Sequence, residues 1–357
     1  MVSKIDALIA MMEKEYGKGV VVKGSDLEKQ KIVRISTGIF ILDYLLLGGL
    51  PAGKVSLLRG KEGSGKTLLA LLAMRNYQDM CSECLTEKCE HKKPKQAEMV
   101  FMDAEGKFPL RFKKALGIDD TRFSMVRPET SEQAIDLIEK FLRNENVGFF
   151  VLDSIAALVP AIEIEKSAEE WQQGLVAREI NKLMRKITGA LQSRAKKGRA
   201  PTIILINQDR FKIGVIYGDP TTISGGEGQK YISSVIIKSR PIRLKEEKLE
   251  GGKMPTKIRV GFTIMKHSYG PAYTDGEYTL KLHDANGPCV RQESWIEQML
   301  AFADVRGLIE RKDGMIRPAC LNGSKYSSLD ALTSDLEGKP DKAAAMRRMV
   351  IEAQAKL

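Results

Sequence analysis

The chain has 357 residues, 43% of them apolar, and 57 Lys and Arg against 46 Asp and Glu give a net charge of +11. That size suits one large domain with one or two small ones, the charge suits either a polyanionic partner or plain solubility, and no run of eighteen apolar residues offers a membrane span. Five cysteines, three of them within nine residues, do not make a disulfide framework and suit a reducing compartment; with no apolar signal core at the N-terminus, the expectation is a soluble cytoplasmic protein.

Residues 3–16 predict an amphipathic helix, because Ile5, Leu8, Ile9 and Met12 recur at helical spacing. It could pack on its own core or on a neighbouring subunit. Val20 to Val22 reads as a strand and Lys23 to Arg34 as a polar linker. The stretch Gly60-Lys-Glu-Gly-Ser-Gly-Lys-Thr67 fits G-x-x-x-x-G-K-[ST], the phosphate-cradling loop. Gly60, Gly63 and Gly65 allow positive φ and close backbone approach. Lys61, Glu62 and Ser64 fill the loop, Lys66 brings a charge to the β- and γ-phosphates of ATP, and the Thr67 hydroxyl can hold Mg²⁺. A buried strand at Lys54–Arg59 and a helix through Leu68–Met74 supply the context that the motif needs.

Cys81, Cys84, Cys89 and His91 then fall within eleven residues. Thiolates and imidazole suit a tetrahedral structural Zn²⁺, and an insert too short to bury a core would take folding energy from the metal. An incidental cysteine-bearing surface loop is the alternative. Glu98–Asp103 reads as a strand ending in Asp103-Ala-Glu105, Glu129–Asn144 as an amphipathic helix, and Gly148–Asp153 as a buried strand closing on an acid that could hold Mg²⁺ opposite Thr67. A long basic helix follows from Gly174. Thr202–Gln208 is another strand, and Ser233–Ser239 and Lys257–Lys266 extend the sheet. From about Cys289 the composition shifts toward helices at Trp295–Ala303, Leu308–Ile309, Ser327–Leu336 and Asp341–Lys356, with Cys289 and Cys320 as packing residues.

The Tyr16-Gly-Lys-Gly19 turn, Ser36-Thr-Gly38, Leu42-Asp43, Gly48-Gly-Leu-Pro51 and the phosphate loop occur in an order that closely resembles the RecA family of recombinases, bacterial and phage, over roughly residues 3–315. The resemblance implies an α/β fold: a mostly parallel twisted sheet flanked by helices, with a small helical C-terminal domain. The expected divisions are 1–34 for the N-terminal helix and linker, 35–285 for the ATPase core with an insert at 79–97, and 286–357 for the C-terminal domain. It implies that Glu105 polarises the attacking water, that Gln208 senses the γ-phosphate, and that Phe112 lies where the family stacks an aromatic on adenine, although Phe112 could equally be a core residue. The family's neighbouring aspartate is replaced near Pro109, which puts base selectivity in question. Arg178, Arg210, Lys212 and Ile213 match DNA-contacting positions. A solvated helix face is the plainer reading of Arg178. Tyr231 falls at the family's subunit interface, and Lys266 matches a lysine reaching the neighbouring subunit's γ-phosphate. Ser268 replaces a second such lysine, and His267 is a nearby group that could compensate. No acidic tail follows the last helix, so the restraint that such tails place on DNA access should be absent.

The expected function is an ATP-dependent recombinase that forms helical filaments on single-stranded DNA and pairs it with homologous duplex. Single-strand-binding and loader proteins are candidate partners. A ring-shaped helicase or branch-migration motor, and an ATP-switched single-strand-binding module, are the alternatives.

Overall fold

A computed structural model describes residues 4–17, 20–27, 32–85, 89–91, 95–162, 174–196, 198–211, 221–242, 256–284, 286–321 and 323–356. After helices α1 (Lys4–Tyr16) and α2 (Gly24–Leu27), a two-stranded ribbon joins β1 (Arg34–Ile35) to β2 (Leu50–Pro51), with α3 (Phe40–Leu45) between them. Then come β3 (Val55–Gly60), α4 (Lys66–Gln78), β4 (Glu98–Asp103), α5 (Leu110–Ala115), β5 (Phe123–Val126), α6 (Ser131–Arg143) and β6 (Val147–Asp153). Helix α7 (Leu175–Lys196), β7 (Thr202–Phe211), β8 (Thr221–Ile223), α8 (Gly228–Ile232), β9 (Val235–Ile242), β10 (Lys257–His267), β11 (Thr274–Asp284) and β12 (Gly287–Gln292) complete the large sheet and its cover.

Its strand order is β12-β11-β10-β9-β3-β7-β6-β4-β5. From β9 to β5 every pairing is parallel, and β10 to β12 add an antiparallel wing. The parallel strands are apolar at successive positions because both faces are covered. Leu58, Phe101 and Phe149 face a core with α4, whereas their neighbours Leu57, Val100 and Phe150 face a second core with α6 and α7. Helix α6 begins where the Thr130 hydroxyl accepts from Gln133 N–H, satisfying one orphan donor of the first turn, and the Gln133 side-chain oxygen accepts from Glu129 N–H just ahead of the cap. It buries Ala134, Ile135, Ile138 and Leu142 at helical spacing.

Beyond the sheet lie α9 (Trp295–Val305), the hairpin of β13 (Ile309–Lys312) with β14 (Met315–Pro318), α10 (Leu329–Gly338) and α11 (Pro340–Ala355). Arg347 of α11 bonds to Asp43 of α3, which also takes hydrogen bonds of 2.7 Å from the Thr37 N–H and hydroxyl. The helical region is thus tied to the segment just ahead of the phosphate loop.

Three expectations need correction. Val20 to Val22 forms a bend and no strand, and among the described residues no strand pairs with it. Ile309 opens a hairpin rather than a helix, because Gly314 supplies the positive φ, +69°, of a tight turn between β13 and β14. The large sheet also runs past the expected boundary at 285, because β12 pairs with β11. Among the described residues no helix is long and apolar enough to cross a membrane.

Candidate nucleotide and nucleic-acid site

Strand β3 is buried throughout and delivers its C-terminal end, Gly60, to the start of the phosphate loop. Gly60 has φ +147°, and a Cβ there would lie 2.0 Å from the Ser239 carbonyl oxygen of β9, so no side chain fits. Gly63 and Gly65 also take positive φ, +72° and +75°. The loop is closed from within by Lys66: its ammonium donates to the carbonyls of Gly60 (3.1 Å) and Lys61 (2.8 Å) and to the Ser64 hydroxyl (3.4 Å). Burial lowers the Lys66 pKa, and the carboxylates of Asp153 and Glu105 oppose that effect. Glu62 stands at the rim, 3.8 Å from Lys107.

Thr67, one residue into α4, donates to Asp153 at the end of β6 over 2.6 Å. Burial pushes the Asp153 carboxyl up to about 6; the Thr67 hydrogen bond opposes this and Glu105 adds to it. Hydroxyl and carboxylate therefore face each other beside the loop, the donor set that a hard divalent cation takes alongside phosphate oxygens.

Glu105 sits just beyond β4, next in the sheet to β6. Its Oε1 accepts two hydrogen bonds, from the Gln208 amide (2.8 Å) and the Ser154 hydroxyl (2.5 Å). Gln208 is opposite Gly60 in the β3–β7 register, so the amide lies beside the first glycine of the loop. Strand β7 then leaves the sheet and pairs Asp209 to Phe211 with β8. Glu105, Gln208, Lys66, Thr67 and Asp153 line one cavity of about 320 Å³ together with Gly63, Ser64, Gly65, Pro109, Phe112, Ile258 and Leu282.

The chain matches the family model for the RecA N-terminal domain over residues 3–280. It is 35% identical over 278 residues to Protein RecA of Streptomyces venezuelae, covering 77% of this chain and 67% of that protein. Against Protein RecA of Arthrospira platensis the identity is 32% over 308 residues, with 86% and 76% covered. Against that of Leptospira biflexa it is 33% over 285 residues, with 79% and 67% covered. The chain belongs to the RecA family. It is accordingly a RecA-type recombinase and a DNA-dependent ATPase of recombination and repair, built on the mostly parallel α/β core of that family.

The remaining expected residues divide into those near this cavity and those outside it. Phe112 lines the cavity yet is only 6% exposed, so it serves as wall and core together. Lys266 does not line the cavity; its ammonium donates to the backbone carbonyls of Lys230 and Tyr231 at 2.9 and 3.2 Å. Tyr231 is 80% exposed, so lysine and aromatic share one open patch. His267 cannot stand in for a lysine at position 268. It is buried, with the Arg34 guanidinium 3.4 Å from Nε2, and burial together with that charge holds it down at about 4. Arg178 and Arg210 are both exposed, on α7 and on the β7–β8 hairpin. Lys212, Ile213 and the stretch 163–173 lie outside the described residues.

Sequence reasoning missed three supporting groups. Ser154 bonds to Glu105, as above. Asp103 accepts from the N–H groups of Lys107 and Phe108, both at 3.2 Å, and shapes the loop that carries Glu105. Arg59, one residue before Gly60, bonds to Asp209, one residue after Gln208, at 2.7 Å, with both side chains almost wholly buried. A charged residue inside an apolar strand was the available signal for the last, since buried charges are nearly always paired.

At the other end of α4 the insert brings four ligand atoms within 4.8 Å of one another: the thiols of Cys81, Cys84 and Cys89 and a ring nitrogen of His91. Burial raises the Cys81 thiol pKa, but hydrogen bonds from the N–H groups of Cys84 and Glu83 together with those of the Cys84 and Cys89 side chains outweigh that and hold it at about 6.

Proposed function

We propose that this protein hydrolyses ATP at the loop 60–67 and uses the bound state to set its grip on single-stranded DNA through the β7–β8 hairpin. The observation that carries this reading is the Gln208–Glu105 hydrogen bond, since Gln208 is continuous with the hairpin and Glu105 stands at the phosphate end of the cavity. Lys66 and the loop N–H groups would hold the β- and γ-phosphates, and Thr67 with Asp153 would hold Mg²⁺, whose charge neutralises the phosphate oxygens when it is bound. Glu105 accepts a proton from the attacking water. Gln208 turns from Glu105 toward the γ-phosphate, and the strand that carries it transmits that choice to Arg210, Lys212 and Ile213. This is an element with two states, biased by a ligand.

Subunits stack into a helical filament through the apolar side of α1, where Ile5, Leu8 and Met11 are 64, 46 and 58% exposed, and through the Tyr231–Lys266 patch. Lys266 reaches the next subunit's nucleotide from there. Homologous duplex is read by base pairing, with phosphate contacts supplying affinity that falls with salt. The four ligands of the insert hold a structural Zn²⁺. Association with single-strand-binding and loader proteins follows from the filament's substrate.

The test is ATP turnover with and without single-stranded DNA, followed by negative-stain imaging of the same mixtures. DNA-stimulated turnover on helical filaments is the expected result. Closed rings with turnover would favour a helicase, and DNA binding without turnover would remove Glu105 from the role given to it.

A further inference from the structure

The Cys and His side chains of the insert bring four ligand atoms within 4.8 Å of one another, and the residues around them have a second pattern of their own. In a tetrahedral zinc site a thiolate sulfur at about 2.3 Å and an imidazole nitrogen at about 2.0 Å lie about 3.5 Å apart. Cys81 Sγ and His91 Nδ1 are separated by 3.5 Å. The other ring nitrogen of His91, Nε2, faces Glu83 Oε2 at 3.4 Å. Glu83 is fixed in turn: Lys95 pairs with its Oε1 at 2.7 Å, and Arg199 donates to its backbone carbonyl. Ligating histidines characteristically give their second N–H to a carboxylate that sets the ring's tautomer and direction.

The site also joins three parts of the fold. Cys81 lies three residues past the end of α4, and it and Leu85 are only 2% and 3% exposed, with Leu85 packed in the core that holds Tyr77 and Ala97. Ser82 N–H donates to the Lys95 carbonyl at 2.7 Å, so the two arms of the insert meet where β4 begins. Arg199, in the turn between α7 and β7, reaches the same point. All of this lies at the end of α4 away from the phosphate loop.

On the reading that the insert holds zinc, we infer that His91 ligates it through Nδ1 with Glu83 as the residue that orients the ring, and that the ion pins the ends of α4, β4 and the α7–β7 turn together at the foot of the ATPase sheet. Glu83 is a positioning residue, and the metal stabilises the ATPase core as well as the insert.

The experiment uses the full chain. Metal content by mass spectrometry of the purified protein should give one zinc per chain; its absence, with zinc added back, would overturn both the zinc reading and this inference. If zinc is present, competition with a chromophoric chelator measures its affinity in Glu83→Ala, Glu83→Gln and Lys95→Ala. Losing the orienting carboxylate should weaken zinc about 10- to 100-fold in Glu83→Ala, and the amide oxygen of Glu83→Gln, which can still accept from Nε2–H, should recover part of that loss. Lys95→Ala keeps the contact with His91 and should stay within about threefold of wild type on the same argument. Equal affinity in Glu83→Ala and wild type would refute the orienting role while leaving the zinc reading intact. Hydrogen exchange with and without chelator tests the pinning: amides of Tyr77, Gln78, Met99 and Val100 should lose protection on zinc removal. A change confined to 79–97 would refute it.

Discussion

Replacing Asp153 with Asn should make the protein more stable at neutral pH in the presence of EDTA while abolishing ATP hydrolysis. Burial raises this carboxyl from the ordinary 3.8 to about 6, with Glu105 adding to the effect and the Thr67 hydrogen bond opposing it. Between those two values the folded chain binds more protons than the unfolded chain, so stability falls as pH rises through that window. Below about pH 4 the carboxyl is neutral in both states and costs nothing; above about pH 6 the full cost is present. A gap of about 2 on the pH scale, at about 1.4 kcal/mol for each factor of ten, makes that cost about 3 kcal/mol. Asparagine removes the charge, keeps the shape and leaves an oxygen to accept from Thr67. Urea unfolding in EDTA at pH 7.5 and pH 4 should therefore show Asp153→Asn ahead by about 3 kcal/mol at the first pH and nearly level at the second. With saturating Mg²⁺ and ATP the order should reverse, since only the wild type gains the stabilisation of ligand binding. A variant no more stable than wild type at pH 7.5, or equally ahead at both values, would refute the reasoning.

Arg59→Met should destabilise by about 3–5 kcal/mol because it strands the buried Asp209 carboxylate, and Arg59→Met with Asp209→Leu should recover most of that loss; a urea double-mutant cycle reads both, and additive losses would overturn the pairing argument. Glu105→Gln should lower turnover at least a hundredfold while ATP-dependent DNA binding survives, measured by phosphate release and filter binding. Outside the phosphate loop the cavity is lined in part by Pro109, Phe112, Ile258 and Leu282, none of whose side chains can hydrogen-bond to a base. An apolar wall discriminates by no more than about a hundredfold, so GTP should be turned over with kcat/KM within about a hundredfold of ATP. A ten-thousandfold preference would show that backbone groups read the base.

What could be read in the sequence was what local chemistry decides. The phosphate loop declares itself because its function resides in eight consecutive residues, and the strands at 98–103 and 148–153 because parallel strands buried on both faces are apolar without a break. The Cys and His cluster was legible for the same reason. The end of β7 was not: Asp209 to Phe211 are polar or bulky, and their extension depends on β8, a strand that starts ten residues further on. Ser154 with Glu105 and Arg59 with Asp209 are 49 and 150 positions apart, and no periodicity signals such pairs. His267 misled because a histidine flanked by Lys266 and Ser268 looks like surface; the fold packs it beneath Arg34 and against Gly270, where a Cβ would meet its ring at 2.6 Å.

Strand β7 lies between β3 and β6, paired to the first through Gln208 and to the second through Leu205. A central strand cannot slide without breaking two ladders, and Asp209 is anchored to β3 by Arg59. On the proposed reading, the news of a bound phosphate therefore does not leave the site as a piston stroke of the strand. It would travel as a rotation of the Gln208 side chain, and the hairpin beyond would respond to which way that amide points. On that reading the sheet is the stator, and one torsion is the moving part.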